Sequence, residues 1–236
     1  MQIKRFYEDI WQAYEEAQTS QPPKQRDAFH RLFLDVIFDP YANPGDQVAR
    51  SLLQGQGSLL DIGCWDGRLG EGLLTDGRFS KVYGVDVIPG ALQKSASRGL
   101  SVTLADLNQG LPYPSASFDA VTMLGVLEHV FDPYFALSEV RRVLRPGGEY
   151  VVAVPNAASF SNRIRLLFGQ ALVTSLDPGW DGGHLHYFVL RSLRELLVDQ
   201  GFEPREVCLT GGKRWLRSWW PGLLGGLFVV RAVVKP

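Results

Sequence analysis

The sequence has little of what marks secreted or nucleic-acid-binding proteins. Only two of its 236 residues are cysteines, Cys64 and Cys208, and they form no metal-ligand spacing. We therefore expect a reduced, cytoplasmic compartment. The formal net charge is −1, whereas a nucleic-acid-binding surface usually appears as a basic domain or stripe. A nucleic-acid partner is therefore not expected.

Long hydrophobic runs are also missing. The N-terminus shows no apolar segment of the signal-peptide type. The C-terminal apolar stretch from Trp219 to Val230 has only twelve residues, whereas a membrane span needs about 20. Trp215, Trp219 and Trp220 nevertheless stand among cations, as in segments that touch a bilayer surface. Two interpretations remain: a peripheral membrane contact, or a final buried strand whose tryptophans pack beneath a lid.

What the sequence does contain is three carboxylates, each at the end of a short apolar run. Asp61, Asp86 and Asp106 close these runs, and Gly63 and Gly67 follow the first of them. Such runs are typical of buried parallel strands, whose carboxyl ends lie along one sheet edge where ligands bind. We therefore expect the three acids to face a common, nucleoside-like ligand.

The glycine turn after the first run does not fit the nicotinamide-dinucleotide fingerprint. That fingerprint, Gly-x-Gly-x-x-Gly, brings backbone against a pyrophosphate. Here the turn is Asp61-Ile62-Gly63-Cys64-Trp65-Asp66-Gly67, and an acid before the turn would repel a pyrophosphate but could pair with an ammonium. S-adenosylmethionine carries an ammonium, a ribose and an adenine without any phosphate.

The turn resembles motif I of the class I S-adenosylmethionine-dependent methyltransferases. In order along the chain, Phe118–Leu124 resembles the fourth strand of that family and Leu144–Gly148 the turn before the fifth. The resemblance implies that Asp61 lies at the amino-acid end of the cofactor and that Asp86 holds the two ribose hydroxyls. It also implies that Asp106 meets the adenine amine. The predicted cofactor-binding residues are Asp61, Gly63, Cys64, Trp65, Gly67, Asp86, Val87, Asp106, Leu107 and Leu124.

Trp65 departs from the family pattern, which usually has glycine at the middle of this loop. Glycine permits positive φ and close approach of the backbone. The indole must therefore either point away and pack against a neighbouring helix or form part of the cofactor wall. A weakened or lost cofactor site stays open as an alternative.

The predicted fold is α/β, a Rossmann-like seven-stranded, mostly parallel sheet with helices on both faces and an antiparallel C-terminal hairpin. Residues 1–50 are expected to form an N-terminal helical cap, and residues 51–236 a methyltransferase domain with a lid insertion at about 155–190. Predicted strands are 58–62, 81–86, 101–105, 118–124, 149–154, 203–209 and 227–234. Predicted helices include 6–18, 28–38, 133–144 with Asp132 as N-cap, and 162–168.

Candidate groups for the chemistry follow the fourth predicted strand. The run Leu127-Glu128-His129-Val130 resembles small-molecule methyltransferases, including the ubiquinone-biosynthesis O-methyltransferases. Those enzymes have an acid three residues before the Glu-His pair, whereas this chain has Gly125. Two ligands make a poor divalent-ion site, so no metal is expected. Glu128 could instead be a helix-start acid or an ion-pair partner.

Two further histidines lie in the predicted lid. His184-Leu185-His186-Tyr187-Phe188 resembles a His-x-His-x-Phe stretch found in a branch of small-molecule methyltransferases that includes MetW-like proteins. In one interpretation Asp181 and these histidines are hydrogen-bonding groups that hold the lid. In the other, His184 or His186 lies over the acceptor and takes a hydroxyl proton. His129, His184 and His186 are the predicted catalytic residues.

The predicted activity is methyl transfer from S-adenosylmethionine, with S-adenosylhomocysteine as product. An alcohol or phenol needs a general base more than an amine lone pair does, so the histidines favour O-methylation of a small hydroxylated acceptor. That acceptor could be lipid-linked or a saccharide. The alternative is a cofactor-binding partner or regulatory protein of MetW type with little or no turnover.

Overall fold

A computed structural model of the protein describes residues 2–19, 45–175, 180–210 and 220–235. Its strands are β1 (Gly57–Ile62), β2 (Phe79–Asp86), β3 (Ser101–Leu104), β4 (Phe118–Leu124), β5 (Leu144–Pro155), β6 (Phe202–Thr210) and β7 (Leu227–Val234). They form one sheet in the order β3-β2-β1-β4-β5-β7-β6. The first five strands are parallel, and β7 is antiparallel to both β5 and β6. The predicted α/β fold with its C-terminal hairpin is confirmed.

The helices occupy the connections between strands. They are α1 (Gln2–Thr19), α2 (Gly45–Leu52), α3 (Arg68–Thr75), α4 (Pro89–Ser97), α5 (Pro133–Val143), α6 (Phe160–Leu167), α7 (Leu190–Asp199) and α8 (Pro221–Leu224). Helix α5 begins as predicted, because the Asp132 side chain accepts hydrogen bonds from the backbone of Tyr134 and Phe135. The helix predicted over 28–38 and the side chains of Trp215 and Trp219 lie outside the described residues.

Apolar side chains fill both faces of the sheet. One layer joins the sheet to α5 and α7, through residues such as Met123, Leu137 and Leu197. The other joins it to α2, α3 and α4, through residues such as Leu59 and Leu73. Helices on both faces explain why the parallel strands are nearly continuous apolar runs rather than alternating ones.

Two of the differences from the expected boundaries concern strand β5 and the domain division. Strand β5 begins at Leu144, which already pairs with Phe118, so the predicted turn over residues 144–148 lies inside the strand. A register shift before the pair Ala120–Glu149 accommodates these residues. Helix α2 spans the predicted boundary at residues 50 and 51. The division into cap and main domain stays a prediction.

The parallel strands place the first three acids along one edge. Asp61, Asp86 and Asp106 all lie at the carboxyl ends of their strands or directly after them. Helix α1 lies across this edge, since a Cβ added at Gly90 of α4 would be 2.5 Å from the indole of Trp11. Within the part of the chain that the structure describes, no helix combines the length and apolarity of a membrane span.

Candidate active site

A cavity of about 1310 Å³ opens at the carboxyl ends of β1 to β4. It exceeds the roughly 300 to 1,000 Å³ of an ordinary small-molecule site. It therefore has room for a nucleoside-sized molecule and a second, smaller one. Of the predicted site residues, those that line it are Gly63, Trp65, Asp86, Val87, Asp106, Leu107, Leu124 and His129.

Asp86 organises the loop after β1. One of its carboxylate oxygens accepts from the backbone N–H of Trp65 at 3.0 Å, and the other from the N–H of Ile88 at 3.0 Å. Burial raises the pKa of this carboxyl, and the backbone donors oppose the shift. A carboxylate has about four acceptor sites, so Asp86 can accept further donors from the cavity.

Asp61 lies under the floor of the cavity rather than in its lining. It is only 3% exposed, and its Oδ1 accepts a hydrogen bond from Thr122 Oγ1 at 2.7 Å. Burial raises the pKa of Asp61 to about 7, the hydrogen bond from Thr122 opposes this shift, and the charge of Asp86 adds to it. A cation bound above Asp61 would favour its ionised form.

Asp106 closes the far side of the cavity floor. Its Oδ1 accepts from the backbone N–H and the side-chain amide of Asn108, both at 2.9 Å, and so caps the 3₁₀ turn Leu107–Gln109. Asn108 in turn accepts from the backbone N–H of Phe131 at 2.8 Å. The loops after β3 and β4 are therefore tied together around the cavity.

Trp65 packs against a neighbouring helix and is also among the residues that line the cavity, so its role in a cofactor wall stays a prediction. Its φ is +48°, in the region where glycine is favoured. The indole lines the cavity and also packs edge-on against Trp11 and Tyr14 of α1, with ring centroids 4.8 Å and 5.4 Å away. Tyr14 donates to Asp66 at 2.8 Å. The loop of motif I is thus held by α1.

A second group of polar side chains lies beside the cavity, at the turn after β4. Glu128 and His129 belong to a 3₁₀ turn after β4, and the carbonyl of Glu128 accepts from the backbone N–H groups of Leu185 and His186. These hydrogen bonds bring the His-x-His segment to the turn. The rings of His129 and His184 meet edge-on, with centroids 4.6 Å apart.

Hydrogen bonds orient these histidines differently. His129 Nδ1 lies 3.3 Å from the carbonyl of Gly183, and His184 Nδ1 lies 2.6 Å from Thr174 Oγ1. His186 Nε2 lies 2.9 Å from the carbonyl of Val130. Of the three, only His129 lines the cavity. His184 is buried behind it, and His186 fastens the segment to the turn.

Glu128 is a buried carboxyl close to His129 and His184. It is 2% exposed, and no described group makes a hydrogen bond to its Oε2. Burial raises the pKa of Glu128 to about 8. Burial likewise raises the pKa of Tyr7, which lines the cavity, to about 12, and the charge of Glu128 adds to that shift.

Comparison with known proteins decides the family. A family of methyltransferase domains matches residues 60–152. A probable S-adenosylmethionine-dependent methyltransferase of Mycolicibacterium smegmatis is 34% identical over 146 residues, 61% of this chain and 51% of the relative. A ubiquinone biosynthesis O-methyltransferase of Alkalilimnicola ehrlichii is 32% identical over 142 residues, 57% of this chain and 56% of the relative. Residues 60–152 therefore form a methyltransferase domain, and the chain is similar to S-adenosylmethionine-dependent enzymes.

A solved structure agrees with this assignment at the level of fold. A methyltransferase from Thermotoga maritima, named a possible histamine N-methyltransferase, superposes with a TM-score of 0.65 at 21% identity. The superposition covers 98% of this chain and 99% of the other. The chain spans about half to two thirds of the length of the curated relatives that it matches.

The cavity of the methyltransferase domain fits the family's cofactor, S-adenosylmethionine. Gly63 has φ +70°, and an added Cβ would lie 2.3 Å from Val126 Cγ2. Any side chain at this position would therefore clash with Val126. Gly67 has φ +79° and is the N-cap residue before α3. The sulfur of Cys64 lies beneath the loop, 3.6 Å from Ser95 Oγ, and is not part of the lining.

Helix α1 also contributes to this site, and none of its residues was among the predicted site residues. Tyr7, Ile10 and Tyr14 line the cavity, opposite the strand ends. The signal was present, because residues spaced at i, i+3 and i+7 share one helix face. Nothing in the local sequence, however, indicates which surface that face covers.

Proposed function

We propose that the protein transfers the methyl group of S-adenosylmethionine to a small hydroxylated acceptor, with O-methylation favoured. The observation that carries this proposal is a single cavity that is lined by Asp86, Asp106 and His129 together. The cavity has space for two molecules side by side. The cytoplasmic location expected from the cysteines stays a prediction.

The proposed cofactor contacts follow from the positions of the lining residues. Asp86 would accept hydrogen bonds from the two ribose hydroxyls, while Asp106 would face the adenine amine. Leu107 and Val87 offer apolar surface for the ring. Asp61, beneath Gly63, would supply negative charge at the ammonium end. S-adenosylmethionine supplies an activated methyl carbon, so the protein has mainly to align the acceptor and exclude water.

His129 is the proposed base for the acceptor. The carbonyl of Gly183 can only accept, so the proton of a neutral His129 lies on Nδ1 and the lone pair on Nε2. That nitrogen can take a hydroxyl proton at physiological pH. Positioning can supply about 7 to 11 kcal/mol, and a general base about 10² to 10⁴-fold. His184 and His186, which do not line the cavity, would act only through the position of the lid.

Exposed apolar side chains near the lid support a lipid-linked acceptor. Phe131, Leu167, Phe168 and Trp220 are all more than half exposed. Arg163 and Arg165 belong to α6, a few residues before Leu167 and Phe168 in the sequence. Apolar groups with cations suit a bilayer surface. A peripheral membrane contact is therefore proposed along with a lipid-linked substrate, and a free saccharide is the competing acceptor.

One observation favours a second candidate, a cofactor-binding protein with little turnover. Trp65 replaces the usual glycine and lines the cavity while packed against α1. An indole held in this way can limit how the cofactor enters and leaves. The two candidates differ in turnover and not in cofactor binding.

The test is incubation with methyl-labelled cofactor and a panel of catechols, hydroquinones, polyprenyl phenols and sugars. An enzyme releases S-adenosylhomocysteine and labelled product, whereas the binding protein retains the cofactor and releases neither. Asp86→Ala should weaken cofactor binding by about 10² to 10⁴-fold, because two hydrogen bonds to a charged acceptor are lost. Asp119→Ala is the matched control, since Asp119 lies at the opposite end of the sheet. Unchanged affinity in Asp86→Ala would contradict the ribose role.

A further inference from the structure

Three metal-ligating side chains converge beside the acceptor end of the cavity. Glu128, His129 and His184 each offer one ligand atom, and these atoms all lie within 4.8 Å of one another. The expectation of no metal depended on Glu128 and His129 being a pair without a third ligand. The lid supplies that third ligand, because its backbone docks on the carbonyl of Glu128.

The carboxylate of this cluster lacks a partner on one oxygen. Glu128 is 2% exposed, and its Oε2 is buried without a hydrogen-bond partner among the described residues. Buried polar atoms are nearly always paired, so each exception calls for an explanation such as an ion. A carboxylate enclosed with two imidazoles is a common donor set for a divalent cation.

Both histidines are oriented in the way that metal ligands are. His129 Nδ1 faces the carbonyl of Gly183, which can only accept a proton. Thr174 donates its single hydroxyl proton to Asp181 at 2.5 Å, so its oxygen accepts from His184 Nδ1 at 2.6 Å. Each ring therefore carries its lone pair on Nε2. In metal-bound histidine, the ring nitrogen that does not bind the metal typically donates a hydrogen bond to a backbone carbonyl or to a carboxylate.

We propose that Glu128, His129 and His184 bind a divalent transition-metal ion such as Zn²⁺ at the acceptor end of the cavity. Two nitrogens and one oxygen suit Zn²⁺, Co²⁺ or Fe²⁺ and do not suit Mg²⁺ or Ca²⁺, which prefer oxygen ligands. To bind the ion, the three ligand atoms must move to about 3.4 Å from one another. This distance is the edge of a tetrahedron whose metal–ligand bonds are near 2.1 Å.

The inference goes beyond the proposed methyl transfer. Three protein ligands leave a coordination position open, and His129, the ligand that lines the cavity, places the ion at the cavity wall. In metal-loaded protein, His129 Nε2 would hold the ion and could not also accept a proton. Thr174 and Asp181 are positioning residues, since they act on the ion only through His184.

Calorimetric titration of the chelator-stripped full chain with Zn²⁺, without cofactor or acceptor, tests the proposal. We expect one ion per chain. Glu128→Gln and His184→Asn should each weaken binding by about 100-fold or more, and Thr174→Val by about 10 to 100-fold. His186→Asn is the matched control: it lies two residues from His184 but outside the cluster, and the backbone hydrogen bonds of Leu185 and His186 to Glu128 still hold the segment, so its Zn²⁺ affinity should fall far less than that of His184→Asn.

Co²⁺ provides a readout of geometry. The visible absorption of bound Co²⁺ should be that of a four- or five-coordinate ion, and it should change in Glu128→Gln. Circular dichroism and cofactor affinity of each variant establish that it is folded. Absence of Zn²⁺ binding by the wild-type chain, or binding that folded Glu128→Gln and His184→Asn leave unchanged, would overturn the site. Because this titration involves no acceptor and no turnover, failure of the metal site can be distinguished from failure of the proposed reaction.

Discussion

Replacing Asp61 by asparagine is expected to stabilise the cofactor-free protein at about pH 8 and to weaken its binding of cofactor. The asparagine oxygen can accept the same hydrogen bond from Thr122 that Asp61 Oδ1 accepts at 2.7 Å. What the substitution removes is a buried negative charge. Burial raises the pKa of Asp61 from 3.8 to about 7, so ionising this group in the folded protein costs about 4 kcal/mol.

The sign of the effect follows from the direction of the pKa shift. The folded protein holds the Asp61 proton more tightly than the unfolded chain does. The contribution of Asp61 to the free energy of unfolding is therefore greatest below about pH 4, and it is lost as the pH rises to about 7. The amide side chain of the variant cannot lose a proton in this way. The free energy of unfolding of the variant should exceed that of the wild type by almost nothing at about pH 4, and by about 4 kcal/mol above pH 7.

Urea unfolding of both chains across this pH range measures the difference, and calorimetry measures cofactor affinity. Asp119→Asn is a control of opposite sign: partial burial raises the pKa of Asp119, but hydrogen bonds from Arg145 and Ser58 outweigh it and lower the pKa. That variant should therefore lose stability most at high pH. An Asp61→Asn protein that is no more stable than the wild type at about pH 8 would refute the reasoning.

Two further substitutions test the loop after β1. Gly63→Ala should destabilise the protein by at least about 1 to 2 kcal/mol, because φ is +70° and the new methyl group would meet Val126; an unchanged melting temperature would contradict this. Trp65→Gly relieves a positive φ, worth about 1 to 2 kcal/mol, but removes an indole packed on Trp11, and truncating a fully buried Trp costs about 3 to 5. Because Trp65 is only partly buried, the expected net loss of stability is smaller than the roughly 4 kcal/mol that a fully buried indole would give. Urea unfolding measures this loss, and a gain in stability would show that the packing counts for little.

The predicted fold followed from short-range signals, and these were sufficient. All seven strands were expected within a few residues of their observed bounds, because buried parallel strands are short apolar runs that end at polar or glycine residues. The start of α5 was also correct, since Asp132 followed by Pro133 is a local capping pattern. The start of β5 was wrong by five residues, because pairing of Leu144 with Phe118 depends on the neighbouring strand.

The acidic edge of the cavity was predictable for the same reason. Asp86 and Asp106 line the cavity because parallel strands end at one edge, a rule that needs no knowledge of side-chain packing. Whether Asp61 and Cys64 contact the ligand directly or lie beneath the loop could not be decided from their order in the chain. The structure places both under the floor.

The sequence by itself determined the approximate positions of the strands, the acidic edge and the motif that identifies the family, since each depends on residues within one strand and its turn. Only the tertiary structure decided that α1 covers the cavity with Tyr7 and that His184 joins Glu128 and His129. These contacts link residues far apart in the chain. Their partners depend on the path of the intervening loops, which local propensity does not encode.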